Sequence, residues 1–158
     1  MIETNRKIVS AVSTAMLFTA GVSACGPLDN PYRPFPEPDY SQYVARVQPI
    51  VARRCSALGC HGSYDRTLTL FALDMLRAEA IFSGEPLDET KLTDAELVAN
   101  YDAMRIRLLD VKDADESSLL LKCLDPDKGG VEHSDVVVFE STNVPDYQTL
   151  RTWIETGL

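Results

Sequence analysis

The sequence predicts an all-α domain with long loops, and three observations carry that prediction. Apolar residues recur at helical spacing in three separate stretches, near residues 43–51, 97–108 and 147–154. Prolines and glycines gather between those stretches, so the connections are long. Only one short run, "VVVF" at 136–139, has β character.

The chain opens with a segment that belongs to no domain. "MIETNRK" ends in Arg6 and Lys7, and an apolar run from Ile8 to Ala24 follows. A charged tip before a short apolar stretch reads as an export signal, too short and weak for a comfortable transmembrane helix. The run closes in "VSAC", which resembles the lipobox of bacterial lipoproteins. By that resemblance residues 1–24 are a lipoprotein signal peptide and Cys25 is the acylated first residue. An ordinary secretory cut near "VSA" is the alternative, and either one exports the protein. Gly26 stands where an aspartate retains some lipoproteins at the inner membrane, which leans towards the outer membrane.

Residues 26–40 hold five of the nine prolines. Such a segment tends to polyproline II, so residues 25–40 are read as a lipidated tether. The rival is an arm packed on the domain through Tyr32 and Phe35. The folded domain is expected over 41–158, about 118 residues, enough for a small core.

Within it, Tyr43, Val44, Val47, Ile50 and Val51 form the first helical stripe, with Ser41 as a candidate cap. Pro49 either kinks this helix or starts a second one. Gly59 and Gly62 mark a loop able to take positive φ. "TLTLFAL" reads as extended, before a short helix through about Phe82 that Gly84 stops. Thr93 and Glu96 have capping-box spacing, and Leu97, Tyr101, Met104 and Leu108 then share one face. A short helix carries Leu119, Leu120 and Leu121, ended by Pro126, Gly129 and Gly130. The last helix starts near Asp146, shows Tyr147, Leu150, Trp153 and Ile154 on one side, and ends at Gly157. Long loops in a small domain usually surround something functional.

The chemistry concentrates in "CSALGCHGS", residues 55–63. In an oxidising compartment two close cysteines need an explanation, and three are open. Cys55 and Cys60 can bridge as a disulfide across a loop. They can hold zinc with His61 and His133, or with Cys123 replacing one of these, although adjacent Cys60 and His61 suit one tetrahedral ion poorly. They can also attach a haem, with two thiols on its vinyl groups and His61 turned under the iron. The usual spacing between such thiols is two residues; here it is four, so the loop must bulge outward. Ser56, Ala57 and Gly59 are small enough for that.

Three more pieces join this motif. "VQPIVARRC…CHGS", "DADESSLLLKCL" and "HSDVVVFESTNVPDYQTLRTWIETG" together resemble the small cytochrome c-like domains of exported bacterial proteins, over roughly residues 43–157. The resemblance implies an all-α cytochrome c-like fold with the first and last helices packed together. It implies covalent haem c on Cys55 and Cys60, with His61 as the proximal iron ligand. Many relatives supply a methionine as the sixth ligand in an M-P turn after the L-L-x-K segment, but this chain has no methionine beyond Met104. Other relatives carry a histidine followed by glycines. Here His133 is kept, while Ser134 and Asp135 stand in the glycine positions. His133 is therefore the candidate distal ligand and Met104 the weaker one. Met104 and Met75 have the sequence setting of core residues. Bis-histidine ligation implies a lower potential than histidine–methionine.

The function so implied is a membrane-anchored monohaem cytochrome that carries single electrons and is not an enzyme. The alternative is a haem-free, disulfide-stabilised lipoprotein domain for binding or assembly. Cys123 reads as a buried inert thiol, and Tyr147 and Trp153 as core or as walls of a haem site. "DADES" lacks the ligand spacing and glycine of an EF-hand loop. Removing Glu3, Arg6 and Lys7 with the signal lowers the acidic count from 24 to 23 and the basic count from 15 to 13, leaving about −10. That charge excludes a phosphate-backbone partner and suits a redox partner with a basic docking surface.

Overall fold

The computed structural model describes residues 34–78 and 88–158. The export segment, Cys25 and residues 26–33 lie outside the described residues, as do Phe82 and Gly84. Residues 34–158 form one compact unit, and its regular structure is all α. No described helix is long and apolar enough to cross a membrane.

The first helix, α1, covers residues 40–54 in three registers. Tyr40–Gln42 is α-helical, Tyr43–Val47 has the wider π turn, and Gln48–Arg54 is α-helical again. Pro49 accounts for the change. It has no N–H to give, and its ring would strike the carbonyl four residues back in a regular α-helix. The wide turn makes Pro49 part of a new first turn, where neither defect matters. The cap is Asp39, not Ser41. The Asp39 carboxylate accepts from the Gln42 N–H at 2.9 Å and from the Ser41 hydroxyl at 2.7 Å.

The second helix, α2, spans Asp94–Arg105 and runs on as a 3-10 turn, Ile106–Leu108. Both arms of the Thr93–Glu96 capping box are made. Met104 and Leu108 are buried. So are two polar residues that the apolar pattern did not single out, Glu96 and Asn100. The Glu96 carboxylate accepts from Arg77 at 2.8 and 3.0 Å and from the Ala78 and Thr93 N–H groups at 2.8 Å each. Asn100 donates to Gln48 Oε1 and the Phe71 carbonyl, and accepts from the Phe71 N–H. Tyr43 completes the chain by donating to Gln48 Oε1 at 2.7 Å. Every polar end is paired, so the long loop after α1 is tied to α2 without an orphaned group.

The third helix, α3, is the short turn Ser118–Leu121, capped by Ser117. The acidic turn before it, Ala114–Glu116, is an ion-paired surface, with Asp115 accepting from Arg151 at 2.8 and 2.9 Å. The fourth, α4, spans Pro145–Glu155 and buries all of Tyr147, Leu150, Trp153 and Ile154. It packs on α1, with the Tyr43 and Trp153 rings 5.4 Å apart. Each such large side chain contributes about 1.5–3 kcal/mol on leaving water.

Several expectations change. Residues 72–78 form a turn with Asp74 at φ 59°, not the start of a helix, and Met75 is exposed there. "VVVF" makes no strand. It touches one neighbour through a parallel bridge between Leu124 and Phe139, and Val136 and Val137 are exposed. Gly59 and Gly62 do not use positive φ. Gly62 is needed because a Cβ there would sit 2.1 Å from the Ser56 carbonyl oxygen. The described part of the proline-rich stretch, 34–39, is a packed arm. The Pro38 carbonyl accepts from Tyr101 at 2.6 Å, the Asp39 carbonyl accepts from Trp153 Nε1 at 3.0 Å, and Arg105 lies 4.5 Å from the Phe35 ring centre.

Candidate functional site

α1 ends at Arg54, so Cys55 leaves the helix pointing into the core. The loop that follows is closed by short backbone bonds. The Ser56 N–H and hydroxyl both donate to the Val51 carbonyl, the Cys60 and Gly62 N–H groups donate to the Ala57 carbonyl, and the His61 N–H donates to the Cys55 carbonyl. Ser56 is therefore buried, and the four-residue spacing is absorbed by Ala57, Leu58 and Gly59, which bulge into solvent. This returns Cys60 and His61 to the same side as Cys55.

These residues line one cavity with Cys123, His133 and Arg66. Its apolar wall includes Ile50, Val51, Leu70, Met104, Leu119 and Leu150. It has about 190 Å³ of room for the centres of water-sized contents, and about 970 Å³ of atom-free space counted out through its mouth. The smaller figure is the one to set against the roughly 300–1,000 Å³ of sites that take drug-sized ligands, and it falls below that range.

The His61 and His133 rings lie across from each other, centres 5.7 Å apart and planes within 24°. Two metal–imidazole bonds of about 2.0–2.1 Å each, with the distance from each nitrogen to its ring centre added, need slightly more than that separation, so holding one metal requires the rings to part a little. His61 is oriented from behind. Its Nδ1 lies 2.9 Å from the Leu68 carbonyl oxygen, which selects the tautomer with Nδ1–H and leaves Nε2 free to bind. Burial holds the His61 ring below the usual imidazole range. The Leu68 carbonyl opposes this, and electrostatic interaction with His133, Arg66 and Arg107 lowers it further. The direction favours the neutral ring, the form that ligates. His133 Nδ1 is buried and has no hydrogen-bond partner. Arg107 donates to the Thr67 carbonyl at 2.7 Å, while its Nε is buried and unpartnered. An orphaned polar atom on His133, which lines the apolar cavity, is the pattern of a site that expects a polar guest.

Cys55, Cys60 and Cys123 are free thiols. Burial, helped by the Cys123 and Cys60 thiols, pushes the Cys55 thiol up to about 12. Burial also pushes Cys123 up to about 11. Cys123 is half-buried in the cavity wall, not sealed in the core away from the motif. Its position was readable from the run "SLLLKCL", where helical spacing sets Cys123 on the side of Leu119 and Leu120. Nothing in the sequence marked Arg66, Arg107 or the Leu68 carbonyl. Met104 is in the wall, 3% exposed, and His133 is the residue opposite His61. Met75 is outside the wall. Among the described residues no group of three or more histidine, cysteine or acidic side chains gathers as a metal-ion cage. Two opposed imidazoles alone cannot complete the four-coordinate shell of a bare zinc ion. They suit a metal that brings its own remaining donors.

No family model, no curated protein and no solved structure matches the chain.

Proposed function

We infer that the chain is an exported monohaem c-type cytochrome that transfers single electrons, with a cytochrome c-like arrangement of its helices. The observation that carries this reading is the facing pair His61 and His133 across an apolar cavity bordered by Cys55 and Cys60. A haem brings four equatorial donors and needs two axial ones, and this pair supplies two. The residues fit the group in three further ways. Cys55 and Cys60 are unbridged thiols at the wall, available for two thioether bonds to vinyl groups. Arg66 and Arg107 place positive charge near His61 that would favour the carboxylates of a bound haem. The apolar wall excludes water, which favours covalent attachment in a fixed pose and tunes the potential.

In this reading the haem supplies reversible one-electron chemistry. His61 binds through Nε2, steered by Leu68. His133 would supply the distal ligand, and Met104 packs the wall. The acidic surface steers a partner with a basic docking face, while Arg54 and Arg66 border the cavity itself. Cys25 anchors the domain to the periplasmic face of a membrane or to the cell surface through lipid, with the outer membrane favoured by Gly26. The free thiols count against the disulfide-stabilised alternative.

The test is an absorption spectrum with an intact mass, on protein matured in a host that attaches haem. The expected result is a Soret band, a low-spin spectrum and a mass increase of one haem that survives denaturation. A colourless protein with no added mass ends this reading.

A further inference from the structure

The two histidines are held very differently. His61 is fixed by its ring bond to Leu68 and by backbone bonds on both sides, its N–H to the Cys55 carbonyl and its carbonyl from the Leu70 N–H at 2.8 Å. His133 has no such support. The strap that carries it is tied at its ends, Val131 N–H to the Leu121 carbonyl and Val138 N–H to the Cys123 carbonyl. Between them, among the described residues, residues 132–137 make one hydrogen bond, the local turn from Val136 N–H to the His133 carbonyl. Ser134 and Asp135, directly after His133, both sit in the left-handed region at φ 51° and 58°. Two successive non-glycine residues there store backbone strain. Val136 and Val137, next along the strap, are exposed. The buried His133 Nδ1 has no partner that would hold the ring in place. Weak attachment, stored strain and an unanchored ring all belong to a segment of low local stability.

We propose that His133 is a displaceable iron ligand, and that opening of the 132–137 strap lets a small diatomic ligand such as carbon monoxide or nitric oxide bind in its place. This rests on the haem reading above. The exchange breaks one iron–nitrogen coordinate bond and forms one bond to the diatomic, with no change of oxidation state. The chain would then serve as a gated binder of diatomics as well as an electron carrier.

Carbon monoxide is the probe, on the reduced holoprotein. The expected result is a complete Soret shift whose rate levels off with rising carbon monoxide, because strap opening limits it. His133→Ala abolishes the plateau. Ser134→Gly with Asp135→Gly relieves the strain of the closed strap and slows the plateau rate by about tenfold. Hydrogen exchange gives a readout independent of colour: amides of 132–137 exchange faster in the carbon monoxide complex, while those of 61–70 do not change. A covalently haem-loaded protein that shows no shift over hours, or a rate linear in carbon monoxide without a plateau, overturns the proposal. Absence of covalent haem by mass overturns the haem reading itself, and the proposal falls with it.

Discussion

Two polar regions of this small domain are built to opposite rules. On α2, the buried Glu96 carboxylate is satisfied by the Arg77 guanidinium and the buried Asn100 amide by Gln48 and Phe71. In the cavity wall, His133 Nδ1 is buried with no partner at all. An unpaired buried polar atom costs about 1–3 kcal/mol, so a small domain keeps one only where something else repays it. The comparison separates polarity that holds the fold from polarity that waits for a ligand.

Four experiments press on that difference. Glu96→Ala leaves Arg77 and the Ala78 and Thr93 N–H groups without their acceptor, and should cost about 3–5 kcal/mol of stability by urea titration. If the Glu96 cluster is purely structural, the folded fraction of this variant keeps its haem spectrum. Acid should act through the same group. Burial pushes the Glu96 carboxyl up, but Arg77 and the Thr93 and Ala78 N–H groups outweigh it and hold the group at about 2. A depressed folded value means that the stability is present above the ordinary carboxylate range near 4.5 and is lost as pH falls towards 2. The loss should reach about 3 kcal/mol, and Glu96→Gln should flatten the profile. Asn100→Ala removes the bonds to Phe71 and Gln48 and should cost about 1–3 kcal/mol, again without a spectral change. The smallest effect belongs to the cavity. His133→Leu removes an orphaned nitrogen, so the stability of the haem-free chain should stay within about 1 kcal/mol of the parent or rise. A large loss there would mean that His133 is structural and would erase the contrast.

Much of the helical frame was legible. The Thr93 capping box and the Tyr147–Leu150–Trp153–Ile154 stripe are local signals, and both appear as read. What stayed hidden depends on partners far along the chain. Counting apolar faces treats Glu96 and Asn100 as solvated, because only Arg77 and Phe71 make them buryable. Ser41 has the chemistry of a cap, but Asp39 two residues earlier accepts from both Ser41 and Gln42. The run at 136–139 has strand composition and finds only a single bridge, so composition misled there. At the site, Cys55, Cys60 and His61 were visible as neighbours in sequence. His133 was named from its chemistry alone, and its place opposite His61 comes from the fold. The left-handed φ of Ser134 and Asp135 has only a faint local signature, since Asp visits that region more readily than most residues but Ser rarely does.

The seam between the two ends of the folded unit has a mechanical consequence. Asp39 gives its N–H to Thr156 Oγ1 at 2.9 Å and takes the Trp153 indole N–H, while Pro38 lies so close to Gly157 that a Cβ there would approach its nitrogen to 2.7 Å. Entry and exit of the chain are thus fastened to each other. A pull arriving from upstream of residue 34 is borne first by this clasp and by α4, and the cavity with its two histidines lies beyond the line of load. The same adjacency makes residues 34–158 suited to circular permutation, because a short linker would join ends that already touch.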